Sequence, residues 1–393
     1  MRLLTKAAKG LGFGALGLIG LIVAGLLIGL AAEQLAELRD KHLYPPPGQM
    51  VDSGNGRRQI FCEGNGAPTV VLITGNGIPA VLIRPLQDRV AKFSRVCSYD
   101  RAGLGWSEPA VRPLNVLGHA DELHKLLVAI GEHGPFVLAG HSYGGLVARQ
   151  YVKENPRTVA GMVLIDSAEE GEIFQAEALR SMAASASQNA RSERLARFGV
   201  LRAVVAINPS AASYSSYLTD AERREANALI LRPGFYQGAV SELAHGLENI
   251  PPAMQKPGGL GTLAALPLIV IRHGQPFSGP EAGREKGWTK AQVRLAALSS
   301  DSRSITAVKD GHNIIVDIPI SFHRRSMMLL PPFANIENFK ATKWVSICWM
   351  KDFRYESVLA TGIRFWRGRD DASLCRAGRG RDRRDRLCLS RRH

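Results

Sequence analysis

Cysteine is scarce in this chain, five among 393 residues and at scattered positions, too few for the disulfide framework of a small secreted scaffold. No Cys-x-x-C pair and no Cys/His cluster occurs in the sequence, so the usual signatures of a metal site are missing. Basic charge is plentiful but unevenly placed. A net charge of +15 would suggest nucleic acid or an acidic surface if it were spread evenly. Yet ten of those charges come from residues 321–393, where 17 Lys and Arg stand against 7 Asp and Glu. The rest is only mildly basic, and no nucleic-acid partner is expected. Charge is absent altogether from residues 11–32, LGFGALGLIGLIVAGLLIGLAA. As a helix that run would span about 33 Å, the hydrocarbon thickness of a bilayer.

Arg2, Lys6 and Lys9 precede the apolar run, which places residues 1–10 in the cytoplasm and everything after residue 32 on the other side. Residues 11–32 are therefore expected to be an uncleaved transmembrane signal anchor in contact with the lipid bilayer. Cleavage after Ala31-Ala32 is the rival, and would release a secreted protein. Residues 33–48 end in Pro45-Pro46-Pro47-Gly48 and read as a polar helical stub followed by a stiff spacer, a linker to the folded part.

With 45% hydrophobic residues the chain can bury a sizeable core. Residues 50–52 and 58–62 read as strands joined through Gly54-Asn55-Gly56. Apolar strands follow at 70–74, 96–99, 136–139, 161–165, 268–271 and 305–308. Helical patterns lie between them at 81–93, 116–130 and 143–155. Strands alternating with helices imply a parallel sheet covered on both faces. Gly140-His141-Ser142-Tyr143-Gly144 then falls where a strand turns into a helix. Small residues there permit close packing around an exposed serine, and the first N–H of the helix can face developing negative charge.

Two motifs in this order carry a resemblance. The stretch Tyr99-Asp100-Arg101-Ala102-Gly103-Leu104-Gly105-Trp106-Ser107 fits a Tyr-Asp-Arg-x-Gly-x-Gly-x-Ser pattern, and residues 140–144 fit a nucleophile elbow. Together they resemble the α/β-hydrolase fold superfamily, in its serine-nucleophile branch. The resemblance implies an α/β fold with a mostly parallel central sheet flanked by helices and a helical cap insertion, here behind an N-terminal transmembrane helix. Its core would comprise residues 49–166 and 267–330, with the cap at 167–266. The oxyanion donors would be the backbone N–H groups of Tyr143 and of Asn76, the latter in Thr74-Gly75-Asn76, where relatives carry His-Gly-x. Asp100 and Arg101 are expected to tie down a loop. Strands two and four are neighbours in that fold, so Cys62 and Cys97 approach each other; buried free thiols are the expected state, with a bridge left open.

A nucleophilic serine needs a base, and the base an orienting carboxylate. His312, in Gly311-His312-Asn313-Ile314 after an apolar strand, matches the catalytic histidine loop of the resemblance. His141 points the wrong way, and His273 is expected to pack or to line the site. Many relatives carry the acid after the strand at 268–271, but Arg272-His273-Gly274-Gln275-Pro276-Phe277 holds no carboxylate. Asp166, directly after the strand at 161–165, is the favoured acid, and Glu281 is the alternative. Within the cap, Met182, Phe198, Tyr214, Tyr217, Phe235 and Tyr236 are pocket candidates. Residues 331–393 lack periodicity and read as an Arg-rich, disordered tail.

The expected function is a serine hydrolase that cleaves a carboxylic ester or related small acyl compound through a Ser142–His312–Asp166 triad and an acyl-enzyme. It would need no metal and no organic cofactor. Alternatives on the same fold are a proline-type aminopeptidase, a C–C bond hydrolase and a cofactor-free perhydrolase. A non-catalytic binding protein on a hydrolase scaffold is the alternative of another class.

Overall fold

The computed structural model describes residues 2–212 and 218–317. Expectations for residues 318–393, including the last part of the core and the tail, lie outside the described residues, as do Tyr214 and Tyr217.

Eight strands form one sheet: β1 (Gln49–Asp52), β2 (Arg57–Glu63), β3 (Thr69–Ile73), β4 (Val96–Tyr99), β5 (Phe136–His141), β6 (Val159–Ile165), β7 (Leu268–His273) and β8 (Ser302–Ala307). Their spatial order is β1-β2-β4-β3-β5-β6-β7-β8. Only the β1–β2 and β2–β4 pairs are antiparallel, and the remaining pairs are parallel. The central strands are apolar throughout because both of their faces are covered. Val71, Ile73, Leu138, Leu164 and Val270 point to one layer, shared with α3 (Val116–Ala129), α4 (Tyr143–Glu154) and α10 (Glu285–Ala296). Their neighbours Val70, Leu72, Val137, Val163 and Ile271 point to the other, against α2 (Arg84–Val90) and α11 (Ile314–Asp317). Burying each such side chain contributes about 1.5–3 kcal/mol before entropy is counted.

Three local expectations change. The helical pattern at 81–93 divides into a 3-10 turn at Ala80–Ile83 and α2. Pro85 lies in the first turn of α2, and lacking an N–H it cannot continue the ladder from the preceding turn. Phe93, the last residue of that pattern, is exposed. Cys62 and Cys97 face each other in the antiparallel β2–β4 register, and instead of free thiols they form a disulfide.

The segment before the sheet is one helix. Helix α1 (Arg2–Leu43) runs unbroken through the apolar stretch and on through the stub. From Leu16 it is long and apolar enough to cross a membrane, with a mean hydropathy of 2.3 and 6% of its most apolar window buried. Glu33 and Asp40, one helical face apart by seven residues, are both buried and receive Arg202.

Between β6 and β7 the chain forms a helical layer of α5 (Glu170–Ile173), α6 (Ala176–Arg197), α7 (Val200–Ile207), α8 (Asp220–Ile230) and α9 (Pro233–His245). Thr219 and Glu222 close a capping box at the start of α8. The long α6 lies against α9, and the two roof the C-terminal ends of the strands.

Candidate active site

β5 delivers Ser142 at the turn into α4 with φ of 50° and ψ of −121°, a left-handed conformation in which a non-glycine residue is strained. The strain persists because the surroundings fix the turn. A Cβ on Gly144 would stand 2.3 Å from the carbonyl oxygen of Ile73, and one on Gly140 2.7 Å from that of Gly144. Only glycine allows this approach of helix to sheet. Tyr143 is the first residue of α4, so its N–H has no intrahelical acceptor and is free to serve the space above Ser142.

His312 follows β8, and its Nε2 accepts the hydroxyl of Ser142 at 3.0 Å. Its Nδ1–H donates to Oδ2 of Asp166 at 2.6 Å. Asp166 directly follows β6, also at a positive φ of 40°, and is fully buried. The structure thus brings Ser142, His312 and Asp166 into one hydrogen-bonded line. Glu281, the alternative acid, is instead held by Ser181 at 3.0 Å and Arg284 at 3.1 Å. His141 donates its Nε2–H to the carbonyl of His312 at 2.8 Å. Burial and the neighbouring His312 push its pKa down to about 3, so it is a neutral strut beneath the base.

Asp166 has more partners than His312. Its Oδ1 accepts the backbone N–H of His273 at 3.1 Å and the indole N–H of Trp288 at 3.0 Å. Its Oδ2 also accepts Nδ1–H of His273 at 2.7 Å, and His273 Nε2 meets Glu285 at 3.1 Å. Burial alone would raise the Asp166 carboxyl, but the hydrogen bonds from His273 and His312 outweigh it and hold the group well below the usual carboxylate range. His273 moves the other way: burial would lower it, and the two carboxylates raise it above the ordinary imidazole value. Trp288 also stands edge-on to the His312 ring, 5.1 Å between centroids, which limits the ring's freedom to turn.

The loop at Thr74-Gly75-Asn76 is braced from two sides. Arg101 donates to the carbonyls of Thr74 and Gly75, each at 2.7 Å, and is paired with Glu242 of α9. Glu242 in turn accepts the Asn76 side-chain amide at 2.9 Å and the N–H of Gly77 at 3.1 Å. Asp100 accepts the N–H groups of Ala80 at 2.7 Å and Trp106 at 3.1 Å, a loop-tying part like that expected for it.

A cavity of about 300 Å³ opens over Ser142, with Asn76, Tyr143 and His312 at its floor and Ile173, Met182 and Leu243 in its walls. Of the other cap candidates, Phe198 packs its backbone on Gly29 of α1, and Phe235 and Tyr236 stack edge-on with each other. Glu242 and Trp288 were not singled out from the sequence. Each is one charged or aromatic residue on a helix, and only the tertiary fold gives it a partner.

A model of the family described as the alpha/beta hydrolase family matches residues 70–319. Among curated proteins, the uncharacterized protein YbdG of Bacillus subtilis (strain 168) is 26% identical over 130 residues, covering 33% of this chain and 40% of that protein. The match therefore spans less than half of that relative. Among solved structures, the carboxylesterase CesB (YbfK) from Bacillus subtilis superposes with a TM-score of 0.52 at 16% identity, covering 76% of this chain and 97% of that one. The Cif epoxide hydrolase from Acinetobacter nosocomialis gives 0.57 at 14% identity, covering 75% and 94%. At such identities the likeness is one of fold.

Proposed function

The chain belongs to the alpha/beta hydrolase family, and on that premise we propose that it is a serine hydrolase cleaving a carboxylic ester or related small acyl compound through an acyl-enzyme. The observation that carries this reading is the line Ser142–His312–Asp166, with contacts of 3.0 and 2.6 Å. Ser142 attacks the acyl carbonyl while His312 Nε2 takes its proton. Asp166 holds the resulting imidazolium, and the N–H groups of Tyr143 and Asn76 receive the oxyanion. His312 returns the proton to the leaving alcohol, and a water repeats the sequence on the acyl-enzyme. An epoxide opener of this fold attacks with a carboxylate at the elbow; Ser142 supports acyl chemistry instead. The cavity, at the small end of ligand sites, supports a short acyl group.

The same reading anchors the protein in a membrane through residues 11–32, with residues 1–10 in the cytoplasm and the hydrolase core, 49–166 and 267–330, outside it under the cap at 167–266.

Labelling by a fluorophosphonate probe tests the mechanism. Wild type should label and hydrolyse p-nitrophenyl esters, fastest with short acyl chains. Ser142→Ala should abolish labelling, and His312→Ala and Asp166→Asn should lower turnover by roughly 10⁴-fold. A folded wild type that takes no label would overturn the proposal in favour of a binding protein. Undiminished labelling of Asp166→Asn would remove Asp166 from the triad.

A further inference from the structure

We propose that the cap helix α7 is a second membrane contact, seated in the lipid interface beside the point where α1 leaves the bilayer. The inference rests on the reading of α1 as a membrane anchor. Helix α7 buries none of its residues. Val200, Ala203, Val204 and Ile207 recur at the spacing of one helical face and are all exposed, Val200 at 39%, Val204 at 44% and Ile207 at 87%. An eight-residue helix does not leave an apolar stripe in water without a partner to cover it.

Its one charge is removed from that face. Arg202 turns to α1, bonding Glu33 at 2.9 Å and Asp40 at 2.6 Å. Exposed Arg191 and Arg194 on α6, with Leu195 exposed between them and α7, add the basic fringe that suits phosphate headgroups.

The depth is set by α1. A Cβ on Gly29 would meet the Phe198 carbonyl at 2.5 Å, and a Cβ on Gly199, the residue before α7, would lie 3.4 Å from the Gly29 carbonyl. Gly29 is three residues inside the end of the charge-free run at Ala32, about 5 Å along the helix. Amphipathic interfacial helices bury their apolar face about 5–10 Å into the same boundary. The start of α7 is thus held at the level of the last turn of the apolar run of α1. α6, whose Ser181, Met182 and Ser185 line the cavity over Ser142, leads directly into α7, so the roof of the cavity is tethered to the lipid surface.

The test uses the full chain in phosphatidylcholine vesicles, with Cys348, Cys375 and Cys388 replaced by serine and a nitrobenzoxadiazole dye on Ile207→Cys. A control carries the dye on Lys125→Cys of α3, and both positions are exposed. Lipid bearing a nitroxide near the head of its acyl chain should quench the dye at 207 and spare the control. A chain that floats with the vesicles but is not quenched at 207 overturns the proposal and leaves the anchor standing. A chain that fails to float removes the anchor and the proposal with it. A blue-shifted dye at 207 that nitroxide lipid does not quench puts a second copy on the stripe and likewise overturns it. As a second readout, Val204→Glu with Ile207→Glu should retain turnover of a water-soluble ester and lose turnover of an ester dissolved in the bilayer. Equal turnover of both esters in that variant would again refute it.

Discussion

Asp166 faces two imidazoles at once, and the second explains how the first is tuned. His273 points Nδ1 at the Asp166 carboxylate and Nε2 at that of Glu285. A neutral imidazole donates from only one nitrogen, so both contacts are satisfied only by an imidazolium, the form that the two carboxylates favour when they raise His273 against its burial. That cation competes with His312 for Oδ2 of Asp166. In His273→Asn the carboxylate is left with His312 as its only imidazole partner. Stability carries the signature of the change. A raised imidazole contributes stability fully below its unfolded value near 6.5, and that contribution is lost as pH rises through its folded value. The lowered carboxyls of Asp166 and Glu285 contribute above their unfolded values near 4, and this is lost as pH falls. Burial lowers His119 and His141, which takes stability away as pH falls below about 6.5, so thermal melts should peak for wild type near pH 6.5, and the alkaline decline should flatten in His273→Asn.

At the scale of elements, the loop proposed to receive the oxyanion is shaped by a core arginine and a cap glutamate. Arg101 and Glu242 are both buried and between them take up the carbonyls of Thr74 and Gly75 and the donors of Asn76 and Gly77. Arg101→Met strands the Glu242 charge and should cost roughly 3–5 kcal/mol of unfolding free energy, whereas Arg101→Met with Glu242→Leu should recover much of it. Both variants should label slowly with fluorophosphonate, because the loop loses its shape in each. Normal labelling in the double variant would show that the loop holds itself. The contrast with the elbow marks what was legible in the sequence. Gly140, Ser142 and Gly144 are local, since their role follows from a strand, a turn and a helix that are contiguous in the chain. The β5 and β6 ends likewise put Ser142 and Asp166 in adjacent, parallel positions, so a carboxylate after a strand could be singled out. Glu242 lies 141 residues from Arg101, on a helix whose spacing distinguishes nothing, and Trp288 and Glu285 likewise acquire meaning only once α10 packs under β7. The division of the 81–93 pattern was hidden for the opposite reason: the apolar period holds as far as Val90, and one proline resets the hydrogen bonding.

For the whole molecule, the decisive contact is the one between α1 and the cap. A flexible spacer after an anchor would let the hydrolase core tumble freely above a membrane. Here the helix instead continues to Leu43, and Arg202 of α7 bridges Glu33 and Asp40 across two turns of it. Glu33 is 2% exposed, so its charge depends on that partner. Helix α1, cap and cavity roof are thereby one mechanical unit, and the face of the molecule carrying the cap is fixed with respect to α1. Arg202→Met in the full chain leaves two acids facing each other without a cation. It should lower the melting temperature by several degrees and speed proteolysis within α6 and α7 ahead of the sheet, since the cap would open as a local unit. A chain beginning at residue 45 removes the acids together with the helix and should show the same cap-first proteolysis. If both variants melt and cleave as the full chain does, residues 33–43 carry none of the cap's stability, and the cap stands on α9 and the sheet alone.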